Sequence, residues 1–169
     1  RDRADIRLVL IGQGREKARL RARAAEEGLD NVLFLDPMPK RQLARLLAQA
    51  DLGLQILQNV PAFYYGTSPN KFFDYLAAGL PVLNNYPGWL AAMIRDNDCG
   101  YAVPPDDPDA FADAVEEGSI DRARIRTMGE NARRLAVEEF ARPRLARLWV
   151  GWVTGGSETF QPSRAAGRP

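Results

Sequence analysis

The sequence predicts an α/β fold with a doubly wound parallel sheet, on two observations. Short apolar runs alternate along the chain with longer amphipathic stretches, a pattern typical of strands joined by helical crossovers. The chain has 169 residues, 46% of them hydrophobic, which is enough for one well-buried domain and too few for two ordinary ones. We therefore expect a single core, with ligands bound beyond the carboxyl ends of the strands.

The first half of the chain supplies three predicted strands and two predicted helices. The branched apolar run at residues 6–11 is bounded by Gly12 and Gly14 and predicts a strand buried on both faces of the sheet. A helix is predicted over residues 15–27 and ends at Gly28. The other predicted elements of this half are strands at 31–35 and 52–57 and a helix at 40–50.

The second half continues the alternation and then becomes helical. Helices predicted at 121–140 and 142–153 follow each other without a strand, so we expect them at the edge of the sheet. Trp149 and Trp152 on the last helix are expected to dock on the domain's own core or on a partner domain. Residues 154–169 are rich in Gly, Ser and Pro and predict a disordered tail. The other predicted elements are strands at 81–83 and 100–103 and helices that begin near Pro69, Gly88 and Pro108.

The composition excludes several classes of function. With no histidine and Cys99 as the single cysteine, the chain offers no histidine base, disulfide or zinc site. A net charge of +1 argues against a nucleic-acid partner. No apolar run is long enough to span a membrane and no signal-peptide core follows the Arg-rich start, so we expect a cytoplasmic location. Because the chain starts at Arg1 and soon enters a strand, we expect that a longer protein precedes it.

A glycine turn follows the first predicted strand. Gly12 and Gly14 stand between a buried strand and a helix, where a phosphate-binding turn is expected. Asp36 ends the next strand, near the position of a ribose-binding acid in dinucleotide folds. Lys17 occupies the place of the third glycine, and its bulk would obstruct the close approach of helix and strand. A dinucleotide-binding oxidoreductase domain thus stays open as an alternative, beside a purely structural turn.

The segment at residues 66–81 carries the strongest signal. Ser68 is a suitable N-cap and Pro69 suits the first helical position. A helix that starts in this way directs the Ser68 hydroxyl, the free N–H groups of Asn70 and Lys71 and the Lys71 ammonium towards one volume. This arrangement predicts a diphosphate site.

Further polar and aromatic side chains are candidates for the rest of such a ligand. Asp74 lies on a face next to Lys71, where its carboxylate can accept hydrogen bonds from two ribose hydroxyls. The alternative is an ordinary capped helix with an exposed ion pair between these two residues. After the strand at 81–83, Asn84 or Asn85 is a candidate to hydrogen-bond a sugar and Trp89 to stack on one. The alternative is that the two asparagines shape the turn while the indole packs under the next helix.

These motifs resemble the carboxyl-terminal, donor-binding half of GT-B glycosyltransferases of family 4, closest to the branch that builds bacterial surface polysaccharides. The resemblance covers residues 6–152 and rests on the order and spacing of LVLIGQG, FLDPMPK, SPNKFFDYLAAGLPVLNN and CGYAVPPDDPDAFADAV. It implies a Rossmann-like domain over residues 1–153, which is the carboxyl-terminal half of a GT-B fold. It further implies a nucleotide-diphosphate-sugar donor, most often a UDP-sugar, transfer with retention of configuration, and no metal or other cofactor.

The resemblance also implies a role for individual residues. The matches are Gly12, Gly14, Ser68, Pro69, Asn70 and Lys71 for the donor diphosphate, Asp74 for the ribose, and Leu35, Asp36 and Met38 for the nucleobase. Most of the family has a glutamate near the transferred sugar eight residues before the ribose-binding acid, and Gly66 stands there in this chain. The candidate residues for contact with the sugar are therefore Gly66, Thr67, Asn84 and Trp89.

The same resemblance implies that two functional parts of the family's proteins lie upstream of Arg1. They are the basic pair that neutralises the leaving diphosphate and the amino-terminal half that binds the acceptor. We therefore expect no catalytic residue in this chain, which would bind the donor without transferring the sugar. A polysaccharide or lipid-linked acceptor implies peripheral association with the inner face of the bacterial membrane. Since the first glutamate is missing, a non-catalytic interaction domain stays a further alternative.

Overall fold

The computed structural model describes residues 3–155 and has the predicted α/β organisation, with parallel strands and intervening helices. The chain divides into two compact units, Arg1–Leu46 and Leu47–Pro169. The elements that begin in the first unit are β1 (Leu8–Ile11), α1 (Lys17–Glu26), β2 (Val32–Leu35) and α2 (Lys40–Leu47). The second unit contains β3 (Gly53–Gln55), a 3-10 turn (Pro61–Phe63), α3 (Asn70–Ala78), β4 (Val82–Asn84), α4 (Trp89–Asp96), β5 (Gly100–Ala102), α5 (Pro108–Ile120), α6 (Arg122–Glu139) and α7 (Arg142–Val153).

The first unit has a two-stranded parallel sheet in which Leu8 pairs with Val32 and Ile11 with Leu35. The prediction that β1 is buried on both faces is wrong. Val9 is exposed, and so is Leu33, its partner on the same face of the sheet. None of the four residues of β1 is fully buried.

The second unit has a three-stranded parallel sheet in the order β3-β4-β5. Fully buried side chains from α3, β4 and α4 form its core, among them Phe72, Leu76, Val82, Leu90 and Ile94. A Cβ atom on Gly129 would lie 2.5 Å from the carbonyl oxygen of Gly79. The close packing of α6 against the end of α3 therefore requires glycine at position 129.

The ends of α3 differ partly from those predicted. Pro69, with φ −71° and ψ 131°, is the N-cap residue, and the helix begins at Asn70. The prediction that the Ser68 side chain caps the helix is wrong, because extended backbone at Pro69 delays the first turn by one residue. At the other end Gly79 takes the left-handed conformation with φ 73°, which is usual for a glycine that ends a helix.

The last three helices follow the predicted boundaries closely. Asp107 caps α5 by accepting a hydrogen bond from the Ala110 N–H at 2.9 Å, with Pro108 in the first turn. On α7, Trp149 and Trp152 are largely exposed, so they do not dock on the domain's own core. The predicted disordered tail lies, from residue 156 onwards, outside the described residues. None of the described helices is long and apolar enough to cross a membrane.

Candidate functional site

The candidate site lies at the carboxyl edge of the three-stranded sheet. The segments that follow β3, β4 and β5 begin at this edge, because the carboxyl ends of parallel strands meet there. The first of these segments, residues 56–69, leads directly into the start of α3. The polar side chains that the sequence analysis singled out in residues 66–74 therefore belong to this edge or to the helix that starts from it.

Side-chain hydrogen bonds connect the three segments. The Asn85 amide donates to the carbonyl oxygen of Leu57 at 2.9 Å and accepts from its N–H at 2.8 Å. The Asn59 amide donates to the Asp106 carboxylate at 2.6 Å, while the Tyr64 hydroxyl donates to the Asn59 carbonyl. The segment that leads to α3 is thus held at several points by its neighbours.

A second set of contacts holds the same segment against the start of α4. The Trp89 indole N–H donates to the carbonyl oxygen of Thr67 at 3.0 Å. Its ring packs against Phe72 and Phe73 with centroid separations of 6.4 and 6.5 Å. The geometry favours the packing alternative for Trp89, because the half-buried ring braces both α3 and the loop before it.

Gly88 allows the segment before α3 to approach the start of α4 closely. It has φ 109° and ψ −166°, a conformation that is essentially confined to glycine. A Cβ atom at this position would overlap with the carbonyl oxygen of Tyr64. Sequence reasoning treated Gly88 only as a helix start and missed this contact, because the contact joins residues 24 positions apart in the chain.

The start of α3 presents donors without acceptors. Among the described residues no group accepts a hydrogen bond from the N–H of Asn70 or Lys71. Lys71 is half-buried, burial lowers the pKa of its ammonium group, and it forms no ion pair with a described carboxylate. The alternative of an exposed Lys71–Asp74 ion pair is therefore not observed. A half-buried cation beside free N–H groups at a helix N-terminus is a favourable place for an anion.

Asp74 lies on α3 three residues after Lys71 and is half-buried. Lys71 and Asp74 thus place a cation and a carboxylate on neighbouring faces of one short helix. The next residue, Tyr75, has its pKa raised by burial and by the charge of Asp74. Gly66, Thr67 and Ser68 precede the helix, and a Cβ atom on Gly66 would meet nothing within 4 Å.

Asn84 is closed to a ligand in this structure. Its side chain is fully buried and its amide donates to the carbonyl oxygen of Tyr86. Gln55, its partner in the neighbouring strand, is fully buried as well. Burial raises the pKa of the Tyr86 phenol, an effect that Gln55 opposes. These buried polar groups belong to the interior of the sheet edge, so Asn84 is not part of the site that we propose below.

In the first unit, Lys17 has a role that the sequence analysis did not foresee. Its ammonium donates to the carbonyl oxygens of Gly12 at 2.9 Å and Leu35 at 3.0 Å, and to the Asp36 carboxylate at 2.7 Å. It thereby links the carboxyl ends of β1 and β2. The pairing lowers the pKa of Asp36. Lys17 thus occupies the groups that a dinucleotide would use, which disfavours the oxidoreductase alternative.

The remaining residues predicted in this unit have little packed around them. Gly12 has φ 139°, and Cβ atoms on Gly12 or Gly14 would meet nothing within 4 Å. Met38 is half-buried. Within residues 3–155 no group of three histidine, cysteine, aspartate or glutamate side chains could hold a metal ion.

The sequence is similar to one protein family and to several named proteins. The family model for glycosyl transferases group 1 matches residues 1–135. An exopolysaccharide phosphotransferase of Streptomyces coelicolor is 32% identical over 133 residues, which are 78% of this chain and 13% of that protein. A D-inositol 3-phosphate glycosyltransferase of Acidothermus cellulolyticus is 31% identical over 119 residues, which are 67% of this chain and 25% of that protein. The chain therefore spans a quarter or less of the length of these two relatives.

Solved structures share the fold. Sucrose-phosphate synthase from Thermosynechococcus elongatus has a TM-score of 0.70 and 24% identity, covering 89% of this chain and 39% of that chain. Anabaena HepE, solved in complex with UDP, has a TM-score of 0.77 and 16% identity, covering 90% of this chain and 42% of that chain. These neighbours confirm the predicted Rossmann-like α/β fold as that of a GT-B half.

Proposed function

Because the chain belongs to the glycosyl transferases group 1 family, we propose that it binds the nucleotide-diphosphate-sugar donor of a retaining glycosyltransferase of family 4. The observation that carries this proposal is Lys71, a half-buried residue in the first turn of α3, where no described group accepts a hydrogen bond from the N–H of Asn70 or Lys71. A diphosphate would accept hydrogen bonds from these N–H groups and lie against the ammonium. It would thereby relieve the cost of burying the unpaired positive charge.

The same start of α3 would assist the reaction itself. When the sugar leaves, negative charge develops on the diphosphate, and a helix N-terminus with a lysine stabilises that charge. We propose that this arrangement makes a metal ion unnecessary. The remaining basic groups and the acceptor-binding half would come from a longer protein, so that the chain alone binds the donor without transferring the sugar.

Residues around α3 complete the proposed donor site. Asp74 would accept hydrogen bonds from the two ribose hydroxyls. Thr67 and Ser68, with the open position at Gly66, would face the sugar. For the first unit, taken by itself, we propose that Gly12 and Gly14 bind phosphate and that Leu35, Asp36 and Met38 bind a nucleobase. Because Lys17 holds Asp36, we propose that the base contacts come mainly from the backbone and from Met38.

UDP is the proposed nucleotide. HepE, which shares the fold, was solved with UDP and also with UDP-glucose. The Streptomyces relative carries the word exopolysaccharide in its name, which supports a place in the surface-polysaccharide branch. A polysaccharide or lipid-linked acceptor and a cytoplasmic position near the membrane are parts of the same proposal.

The exposed apolar face of α7 has a proposed partner in the longer protein. Leu145, Trp149, Trp152 and Val153 follow helical spacing and are exposed. We propose that this face docks on an acceptor-binding domain of the same protein, since exposed apolar surface of this kind usually marks an interface.

Calorimetric titration with UDP, GDP and NAD tests the proposed function. We expect weak but selective binding of UDP, because the site is built for a diphosphate with one ribose. In Asp74→Ala the affinity for UDP is expected to fall at least about tenfold, since each hydrogen bond to a carboxylate contributes about 1.5 kcal/mol or more. Exposed Asp96, at the end of α4, gives the control variant Asp96→Ala, which should bind UDP like the unchanged chain. Tighter binding of NAD than of UDP, or unchanged UDP affinity in Asp74→Ala, would contradict the proposal.

The pH dependence of UDP binding should report the lowered pKa of Lys71. As the pH rises through that pKa, the ammonium loses its proton, so UDP affinity should start to fall below the pH of about 10.4 that is typical of an exposed lysine. The unfolding free energy should instead increase as the pH rises over this range. Because the folded-state pKa is below the unfolded-state value, deprotonation removes a destabilising buried charge and stability rises between the two values. Titrations of Lys71→Arg, whose guanidinium stays charged, should lack the fall in affinity.

A further inference from the structure

Two aromatic rings stand exposed on the segment that leads into the proposed donor site. Phe63 is 58% exposed and Tyr65 is 78% exposed. The two residues flank Tyr64 on a turn that starts at residue 61. Tyr65 stands directly before Gly66, and Phe63 stands three residues before it. Large aromatic side chains usually bury most of their surface, and rings left in solvent beside a ligand site are available to that ligand.

The backbone between the two rings is firmly held. Tyr64 stacks on Tyr86 with a centroid separation of 6.4 Å, and its hydroxyl is bonded to Asn59. The N–H of Thr67 donates to the carbonyl oxygen of Phe63 at 3.0 Å. The exposed rings are thus displayed on a fixed turn, and a ligand would spend little binding energy on ordering that turn.

We propose that Phe63 and Tyr65 form a subsite for a pyranose ring at the carboxyl edge of the three-stranded sheet. One face of a pyranose carries C–H groups with partial positive charge, and the face of an aromatic ring is negative. The tyrosine hydroxyl can in addition hydrogen-bond a sugar hydroxyl. Gly66 has no side chain and open space around it, so a sugar can approach the turn. The subsite extends the proposed function and rests on it, because the proposed function says which molecules would bring a pyranose to this edge.

The pyranose can belong to the donor or to an acceptor saccharide, and proton NMR of the intact chain distinguishes the two. The probes are UDP-glucose, UDP-galactose and UDP-N-acetylglucosamine, each compared with UDP, and maltotriose as a free saccharide. Stacking on an aromatic face moves the resonances of sugar-ring protons upfield, which a purely structural role of the rings would not do. The variants are Phe63→Ala with Tyr65→Ala, and Ile120→Ala as the control, because Ile120 is equally exposed on the end of α5.

We expect upfield shifts of sugar-ring protons with at least one probe, and affinity for that probe about tenfold lower in the double variant. UDP affinity and the thermal unfolding midpoint should stay unchanged, and Ile120→Ala should behave like the unchanged chain. Shifts with a UDP-sugar assign the subsite to the donor, and shifts with maltotriose assign it to an acceptor. Absence of such shifts with every probe, or their persistence in the double variant, overturns the subsite. If the unchanged chain does not bind UDP at all, the proposed function is overturned. The titration with maltotriose would then still show whether Phe63 and Tyr65 bind a pyranose.

Discussion

Replacement of Lys71 by alanine is expected to weaken UDP binding by about tenfold to a hundredfold. A hydrogen bond between two charged partners contributes about 1.5–3 kcal/mol, and each 1.4 kcal/mol corresponds to a factor of ten in affinity. The loss should be large because Lys71 is half-buried beside the N-terminus of α3, where water screens its charge poorly. Calorimetric titration at low and at physiological ionic strength measures the effect.

One further variant separates the charge of Lys71 from its packing. Lys71→Met keeps the apolar stem and removes the ammonium, so it should lose UDP affinity to the same extent as Lys71→Ala. Its unfolding free energy should be equal to or higher than that of the unchanged chain, since an unpaired buried cation is no longer present. If Lys71→Met binds UDP as well as the unchanged chain does, the ammonium is not the diphosphate ligand.

Replacement of Gly88 by alanine is expected to lower the unfolding free energy by about 3 kcal/mol or more. The φ of 109° and ψ of −166° are strained for any residue with a Cβ atom, and the added atom would overlap with the Tyr64 carbonyl oxygen. Relief of the overlap requires the segment at 56–69 to move away from α4. Urea unfolding followed by far-UV circular dichroism gives the change in stability.

Gly66→Ala is the matched control for this prediction. A Cβ atom on Gly66 meets nothing within 4 Å, so alanine there should change the unfolding free energy by less than about 0.5 kcal/mol. A Gly88→Ala variant as stable as Gly66→Ala would show that Tyr64 does not approach α4 closely. The Gly88→Ala molecules that still fold should also bind UDP more weakly. The displaced segment leads through Thr67 into the start of α3, so its displacement should disturb the proposed diphosphate site.

The fold was predictable because its signals are local. Alternation of apolar strands and amphipathic helices, with Pro108 at the start of one helix, predicted the order of the elements along the chain. Strand lengths were less predictable. The strand predicted over residues 52–57 is only Gly53–Gln55 in the structure, since the chain turns away once its pairing with β4 ends.

Long-range contacts explain most of what sequence reasoning missed. A lysine in place of the third glycine was interpreted as an obstruction, yet Lys17 donates to groups at positions 12, 35 and 36. Asn84 was predicted as a ligand contact because it follows a strand, but its side chain turns inward to Tyr86. Neither outcome follows from spacing along the chain, because each depends on which neighbouring element offers an acceptor.

Amide chemical-shift mapping of the intact chain with UDP tests the central claim most directly. If the diphosphate lies at the start of α3, the backbone amides of Asn70 and Lys71 should shift most strongly within the second unit, and the shifts should saturate with one UDP per chain. The same titration of Lys71→Met should leave these two amides nearly unchanged. Saturable binding of UDP that leaves both amides unshifted in the unchanged chain would contradict the assignment of the diphosphate site to α3.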